Sequence, residues 1–475
     1  MRILLPLTLP TLLTRLLKGT DVTSPRLAAR PTPAPQRPYV FPEVRKLELS
    51  GGKVVAAHLP GQPLAWLGVM LGGGALAEPA PSTGGVALDG LSRATVSLLD
   101  EGTENYTADQ FGAAVESLGG NWGVDSGWQS TKVTINLPVT RATAGAELVA
   151  EAIRRPAFRD TDTRRFLSDL TSAKREQFAR PGLRAQQALR KAVYGEQARY
   201  GRLPGGTPES TAALDGAAVR AFHEQWLRGP GVLLVAGDLD VIDLEALAAV
   251  VFAGARADAP STPDGDAPLP DQTRLTIADR PGAVQSTLRI GHPVLTRTEL
   301  AASGVDIVAL RVASTILGGS FSSRLNHELR EVKGYTYGAH SSFDLGRPQG
   351  FYSMTTEVQT DSTVPAVADT LRIIREFFDG GATEAELELT RAYLAGATPI
   401  GLQSPGAVGE RLIEMTRHGL PGDFVTTEHA RLLEVTLDEV NTNLREVLRP
   451  ADLVVAVEGD ESVFGTELAK AVREA

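Results

Sequence analysis

Residues Gly318–Gly338 read GGSFSSRLNHELREVKGYTYG, and their pattern predicts a short helix between two glycine breaks. Ser320 or Ser322 can cap the helix, because a serine hydroxyl accepts a hydrogen bond from the first free N–H groups. Gly334 is expected to end it, since glycine readily adopts the left-handed conformation that closes a helix. A strand is predicted next, with Tyr335 and Tyr337 on the same side.

Two side chains of this segment are candidates for chemistry. Leu325 and Leu329 lie one turn apart and predict the buried face of the helix, which places Arg330 off that face and near the helix end. Tyr337 follows Arg330 by seven residues. Composition alone favours a plainer interpretation, in which Arg330 pairs with a neighbouring glutamate and Tyr337 is a packed aromatic residue.

The composition of the whole chain excludes several classes of protein. Its 47 Lys and Arg against 57 Asp and Glu give a net charge of −10, which argues against a protein that mainly grips nucleic acid. Cysteine is absent, so disulfide scaffolds, thiol nucleophiles and Cys-ligated metals are excluded. With 42% hydrophobic and 22% charged residues, the chain can bury substantial cores, and its 475 residues predict more than one domain.

Composition breaks divide the chain into four parts. Residues 1–38 are expected to be a disordered leader, and residues 255–272, rich in Pro, Asp and Ala, a linker. Between and after them lie predicted domains at 39–254 and 273–475. The apolar start of the leader is similar to a secretory signal, but prolines and charges interrupt it and no cleavage site follows. A cytoplasmic location without a membrane span is therefore expected, with export left open.

The two long parts repeat the same order of elements. The pairs Gly237-Asp238 and Gly459-Asp460 each follow an amphipathic helix and an apolar strand. Trp122-Gly123 and Tyr337-Gly338 each precede a serine-rich stretch, a strand and a helix. The distance between these two pairs along the chain is nearly the same as the distance between the two Gly-Asp pairs. Similar offsets in the same order predict a duplicated α+β domain. Seven strands are predicted from apolar runs, at 53–58, 65–71, 132–137, 232–236, 286–290, 351–358 and 453–457.

Helical stripes are predicted in both halves. One runs from Leu88 to Leu99, with Gly102 as its expected C-cap, and another runs from Val305 to Leu317 and ends at Gly318-Gly319.

The segment 318–338 and the duplicated organisation together resemble the M16 zinc peptidase family, which includes insulinase-like, pitrilysin-like and processing-peptidase-like proteins. The resemblance implies two homologous α+β domains, each a sheet packed with helices, that form half of a clamshell around a chamber. In that family an Arg and a Tyr seven residues apart reach over the zinc site, and Arg330 and Tyr337 match them. The implied roles are binding of substrate carbonyl oxygens by the guanidinium and a phenol hydrogen bond to the oxyanion.

The metal motif of the family is degenerate in this chain. Catalytic members carry His-x-x-Glu-His on a first-half helix, where two imidazoles bind zinc and the Glu is the general base. The flanks of that motif match residues 90–103, but Arg93 and Ser97 occupy the two His positions and Val96 the Glu position. The family's substrate strand usually reads Asn-Ala-x-Thr. Residues 119–122 read Gly-Gly-Asn-Trp instead, which puts peptide binding at this chain's own first-half edge in doubt.

No other catalytic motif replaces the missing one. None of the seven histidines lies three or four residues from another, so no helix presents an adjacent pair of ligands. The sequence contains no Gly-x-Ser-x-Gly elbow, and Gly72-Gly73-Gly74 lacks the Lys-Ser/Thr of a phosphate loop. This chain is therefore expected to bind no metal or cofactor of its own.

The resemblance implies a non-catalytic subunit of a heterodimeric zinc metallopeptidase. Zinc and His-x-x-Glu-His would belong to a partner M16 chain, and Arg330 and Tyr337 would complete the site for hydrolysis of peptides or unfolded segments. The alternative is a catalytically inert scaffold, similar to the core subunits that the family contributes to a respiratory complex. An autonomous peptidase would need an unseen metal site and is the least favoured interpretation.

Overall fold

The computed structural model describes residues 37–49, 51–80, 85–258, 260–263, 265, 267–269, 274–346 and 349–474. Nearly all of the predicted leader lies outside these residues. Residues 38–475 cluster as one compact unit. Within it, two sheets and the helices packed on them confirm the α+β class. The boundaries predicted at 39–254, 255–272 and 273–475 stay a prediction.

Among the described residues, six strands and eight α-helices precede the predicted linker. The strands are β1 Val44–Leu49, β2 Gly52–His58, β3 Leu64–Gly72, β4 Asn121–Ser126, β5 Ser130–Pro138 and β6 Gly231–Gly237. The helices are α1 Leu91–Ser97, α2 Ala108–Ser117, α3 Ala142–Arg154, α4 Asp160–Phe178, α5 Pro181–Tyr194, α6 Pro208–Ala212, α7 Gly216–Phe222 and α8 Leu244–Val251.

Five strands and nine α-helices follow it in the part of the chain that the structure describes. The strands are β7 Leu275–Asp279, β8 Gln285–Val294, β9 Ala339–Asp344, β10 Gly350–Gln359 and β11 Val454–Gly459. The helices are α9 Arg297–Ala302, α10 Ile307–Ser314, α11 Arg324–Asn326, α12 Thr363–Gly380, α13 Glu384–Gly401, α14 Pro405–Arg417, α15 Phe424–Glu434, α16 Leu437–Val447 and α17 Glu461–Glu474. Helices α10 and α11 continue as the π-helical turns Thr315–Gly319 and His327–Val332.

The two sheets have the same topology. The first sheet has the order β1-β2-β6-β3-β5-β4 and the second β7-β11-β8-β10-β9. With β1 set aside, each strand of one sheet has a counterpart in the other. The pairs β2–β6 and β7–β11 are parallel, and the other pairs are antiparallel. This correspondence is the structural form of the predicted duplication.

The repeated Gly-Asp pairs make the same turn in both halves. Asp238 accepts hydrogen bonds from the N–H of Gly61 at 2.8 Å and of the residue two positions on at 3.1 Å. Asp460 accepts from the N–H of Gly282 at 2.7 Å and, again, of the residue two positions on at 3.1 Å. An Asp side chain that caps its own turn in this way also ties two loops together.

One helix of each half packs on the sheet of the other half. Helix α5 packs on β11 and β8 of the second sheet, and α14 packs on β3 and β6 of the first. These helices cover the sheet faces opposite the main cores, so β6 and β11 are almost entirely buried. Strands covered on both faces lose the alternation of polar and apolar residues. That explains why β6 and β11 read as continuous apolar runs, GVLLVAG and VVAVEG.

Three local predictions were wrong. The N-cap of α11 is Ser323, whose side chain makes no capping hydrogen bond, and not Ser320 or Ser322. Residues 335–338 form a loop rather than a strand, and β9 begins only at Ala339. Gly102 is not the C-cap of α1, which ends at Ser97. Gly102 has a φ of 117° and forms an isolated β-bridge with Thr107, so its left-handed conformation serves a turn beyond the helix.

Candidate functional site

A buried carboxylate accepts hydrogen bonds from the N-terminus of helix α1. Glu78 accepts hydrogen bonds from the N–H groups of Gly90 and Ser92, at 3.2 and 2.9 Å, and from the Ser92 hydroxyl at 2.7 Å. Arg199 donates to the other Glu78 oxygen at 2.7 Å. Burial raises the pKa of Glu78, whereas Arg199 and the hydrogen bonds from Ser92 oppose that change. This network fixes the start of the helix that carries the degenerate motif.

The three degenerate positions cannot supply a metal site. Arg93 donates a hydrogen bond to Asp125 of β4 at 2.6 Å, so it uses its charge in an ion pair. The Val96 side chain is fully buried in the core, and Ser97 is partly buried. A guanidinium has no lone pair for a metal, and valine cannot transfer a proton.

Lys174 of α4 adds a second cation beside Arg93. A Cβ atom at Gly205 would lie 3.0 Å from Lys174 Nζ and 4.0 Å from Arg93 Cδ, so both side chains converge there. Burial, and to a lesser extent Arg93, lowers the pKa of Lys174. Sequence reasoning missed Lys174, because nothing in its local pattern relates it to α1. Two cations at this place repel a divalent metal, so the residues present do not fit zinc.

One group of possible metal ligands comes together elsewhere in the part of the chain that the structure describes. It consists of His58, Asp238 and Asp240. His58 Nδ1 already accepts a hydrogen bond from the Leu239 N–H at 3.1 Å, and Asp238 is the turn-capping residue described above. The second half builds the same turn without a histidine. This group therefore stabilises a turn, and nothing marks it as a metal site.

Arg330 lies in the π-helical turn after α11. Its guanidinium carbon is 4.2 Å from the ring centroid of Phe321, a side chain that is 72% exposed. Its Nη1 atom is buried and lies 3.3 Å from Glu331 Oε1, an ion pair without hydrogen-bond geometry. π-helical turns inside α-helices occur often at functional sites. Arg330 is thus held by stacking while part of its hydrogen-bonding capacity stays unused.

Tyr337 projects from the loop that leads to β9. It is 98% exposed and lines an open cavity of about 580 Å³, together with Phe321 and Tyr393. The loop is held at its base by Asn326, which bonds the N–H and the carbonyl of Ala339 at 2.9 and 2.7 Å. A fully exposed tyrosine at the lip of a cavity is available to a ligand or a partner.

The first sheet also has the edge strand at which the sequence puts peptide binding in doubt. Strand β4, which begins at Asn121, is the last strand of the first sheet, and its Asp125 is the residue that Arg93 engages. Among the described residues, none of the helices combines the length and apolar character that crossing a membrane requires.

Fold and site together define a protein of two repeated α+β halves whose helix α1 carries Arg93, Val96 and Ser97 at the positions where the resemblance places a metal motif. Residues 213–394 match the family model described as "Peptidase M16 inactive domain". The resemblance to the M16 family is confirmed, and the matched segment contains both Arg330 and Tyr337.

Individual relatives agree with this assignment. A protein of Mycobacterium tuberculosis (strain CDC 1551 / Oshkosh), named an uncharacterized zinc protease, is 26% identical over 432 residues, which cover 88% of this chain and 94% of that protein. A peptidase M16 inactive domain from Pseudomonas fluorescens has a TM-score of 0.78 at 23% identity, covering 88% of this chain and 98% of that one. A chain of complex III2 from Candida albicans, solved with Inz-5 bound, has a TM-score of 0.71 at 14% identity and covers 91% and 99%. The last two likenesses concern the fold alone.

Proposed function

We propose that this chain is the non-catalytic subunit of a heterodimeric M16 metallopeptidase and that Arg330 and Tyr337 complete the active site of its partner. The observation that carries the proposal is the contrast between the two halves. The first half places cations where a metal would bind, whereas the second half presents Tyr337 almost fully exposed at a cavity. Zinc, its ligands and the general base would belong to the partner, and this chain would bind no cofactor.

The two side chains suit electrostatic roles. The Arg330 guanidinium, stacked on Phe321, can donate to a peptide carbonyl oxygen through Nε or Nη2, because only its Nη1 is buried. The Tyr337 hydroxyl can donate to a developing oxyanion, which stabilises the negative charge on that oxygen without transferring a proton. Neither role requires a metal ligand from this chain. Both require that the partner's site face the Tyr337 cavity.

Co-purification of the tagged chain from its native source, followed by mass spectrometry, tests for the partner. The expected companion is a chain with an intact His-x-x-Glu-His motif. The purified pair should cleave a fluorogenic peptide, whereas the chain alone should not. Zinc-dependent turnover by the chain alone would overturn the proposal.

Point variants of the assembled pair test the roles of the two residues. Arg330→Ala and Tyr337→Phe are expected to assemble normally and to lower kcat about 10²–10³-fold. Tyr335→Phe, on the same loop but packed against the core, and Arg375→Ala, an exposed arginine on α12, are the matched controls. Unchanged kcat in the first two variants would contradict the proposed roles.

A structural role is the second candidate function. The ion pair of Arg330 with Glu331 and its stacking on Phe321 are contacts that a purely structural arginine would make. The fold likeness to a chain of complex III2 also supports this candidate, because that chain belongs to a complex. In that case Arg330→Ala would lower thermal stability, and no peptidase would co-purify.

A further inference from the structure

A second cavity, of about 610 Å³, adjoins the Tyr337 cavity along β9. Gly319 and His340 line both cavities, so the two are neighbours on either side of these residues. Helices α10, α14 and α15 supply most of the remaining wall. Seven of the 19 residues that line this cavity are charged: Arg297, Arg311, Arg411, Arg417, Asp344, Glu414 and Glu428. Four cations against three carboxylates leave an excess of positive charge.

The excess charge concentrates around one buried glutamate. Glu428, with a side chain only 9% exposed, is hydrogen-bonded by Arg411, which also bonds Glu414. Arg311 Nη1 and Arg297 Nη2 approach Glu428 only to 3.7 and 3.9 Å. Neither of these two guanidinium groups donates a hydrogen bond to any residue that the structure describes. Their N–H groups therefore stay free for an incoming anion.

The arginines are held in place before any ligand arrives. The Phe424 ring contacts two of them, with its centroid 5.0 Å from Arg297 Cζ and 5.4 Å from Arg411 Cζ. The Arg297 side chain is only 14% exposed. A guanidinium stays charged even when it is partly buried, and its burial is costly unless an anion pairs with it. A carboxylate presents two oxygens in the geometry that such a planar fork binds.

We infer that this cavity binds the carboxylate of an extended peptide that also reaches the Tyr337 cavity. The carboxylate is either the C-terminus of the peptide or an Asp or Glu side chain. Strand β9, which borders both cavities, is 6 residues long. An extended peptide advances by the same distance per residue as a strand, so a peptide of about six residues alongside β9 would reach both cavities. The inference deepens the proposed function, because it names the class of peptide that the complex would accept.

Fluorescence anisotropy with the isolated chain tests the inference without any partner. The probes are one hexapeptide, labelled with fluorescein at its N-terminus, in three forms: a free C-terminal acid, a C-terminal amide, and an amide with Glu as the last residue. The acid and the Glu-containing amide are expected to bind at least about 10-fold more tightly than the neutral amide. Preference for only one of the two identifies the source of the carboxylate.

Three variants check that the discrimination comes from this cavity. Arg311→Ala, a side chain that is 43% exposed, should abolish the preference for acidic peptides, whereas Arg375→Ala should retain it. Glu428→Gln, which removes the internal competitor, should strengthen binding of the acidic peptides. Thermal unfolding is measured for each variant, and binding is compared among those that unfold cooperatively.

Equal affinity for all three peptides, or an equal loss with Arg311→Ala and Arg375→Ala, would overturn the inference. Because this assay needs no zinc and no partner, its failure would leave the kcat tests of Arg330 and Tyr337 unaffected.

Discussion

The positive charges of Arg93 and Lys174 oppose the binding of a divalent metal at the degenerate motif. Restoring the motif with Arg93→His, Val96→Glu and Ser97→His would leave the Lys174 ammonium at the site, where it repels a divalent cation. We expect this triple variant to retain no zinc after dialysis, as measured by elemental analysis. Adding Lys174→Glu replaces the cation with an oxygen ligand, so the fourfold variant should bind zinc stoichiometrically.

The control for the restored motif is Lys174→Glu alone, which should stay free of zinc. Stoichiometric zinc in the triple variant would show that Lys174 does not block the site.

His292 makes the stability of the second half depend on pH. It is fully buried, and burial lowers its pKa to about 4. Its Nε2 atom accepts the Arg449 N–H at 3.2 Å, so the proton sits on Nδ1, which bonds the Pro293 carbonyl at 2.9 Å. Charging the ring would break the first of these bonds. The stabilisation from neutral His292 is therefore full above the unfolded pKa of about 6.5 and lost as the pH falls towards 4.

The variant His292→Gln keeps an acceptor but does not titrate. The difference in the free energy of unfolding between wild type and this variant, from urea denaturation, should fall by about 2 kcal/mol between pH 7 and 4.5. The exposed His327→Gln should show no such change. Parallel stability curves for wild type and His292→Gln would contradict the prediction.

For single residues, the sequence identifies those that lie on a linear motif. It does not identify those that contact the motif only in the folded structure. Arg93, Val96 and Ser97 were found because their flanks match along the chain. Lys174 was not found, since it reaches Arg93 from a different helix and only the packing of α4 on the first half brings them together.

Among the elements, α14 depends on a glycine where it crosses the first sheet. A Cβ atom at Gly409 would overlap the indole ring of Trp66, which is only 2% exposed. Gly396, in the middle of α13, has open space around its would-be Cβ. Gly409→Ala should therefore destabilise the protein by about 1–3 kcal/mol through overpacking. Gly396→Ala should stabilise it by roughly 0.5–1 kcal/mol, because alanine favours the helix.

Chemical denaturation of both variants beside wild type measures this contrast. Equal effects of the two substitutions would mean that α14 can shift away from Trp66 at little cost.

The predicted strands are those with strong burial. All seven predicted apolar runs became β2, β3, β5, β6, β8, β10 and β11. The four that were missed, β1, β4, β7 and β9, lie at the edges of the two sheets. An edge strand has one neighbour and less buried surface, so its side chains show a weaker apolar pattern. The same weakness led to the wrong strand at Tyr335 and Tyr337, where β9 had not yet begun.

At the scale of the whole molecule, the sequence did not reveal the exchange of two helices between the halves. In this exchange, α5 of the first half packs on the second sheet and α14 of the second half packs on the first. Trp66 and Leu234 of the first sheet lie against Val408 and Leu412 of α14. In the other direction, side chains of α5 such as Leu189 and Val193 cover β11. The composition of residues 255–272 predicts a linker between separate domains. The packing adds that each half covers one sheet face of the other, because an amphipathic helix can cover any sheet that the chain brings near.

This exchange predicts how the protein behaves when the chain is cut between residues 260 and 261. Each fragment alone would expose one sheet face and one apolar helix face, so each should be insoluble or unfolded. Expressed together, the two fragments should form a stable 1:1 complex, as shown by size-exclusion chromatography and light scattering. This complex should unfold in one cooperative thermal transition.

Two variants on α14 separate the apolar contact from the charged rim of this interface. Leu412→Asp, at a fully buried position, should prevent reassembly of the fragments, because an unpaired carboxylate would be forced into the core. Glu410→Gln removes only the partly exposed ion pair with Lys132, at 2.7 Å, and should leave the complex intact, since such pairs contribute about 0–1 kcal/mol. Soluble, folded fragments that do not associate would show that the halves are independent domains after all.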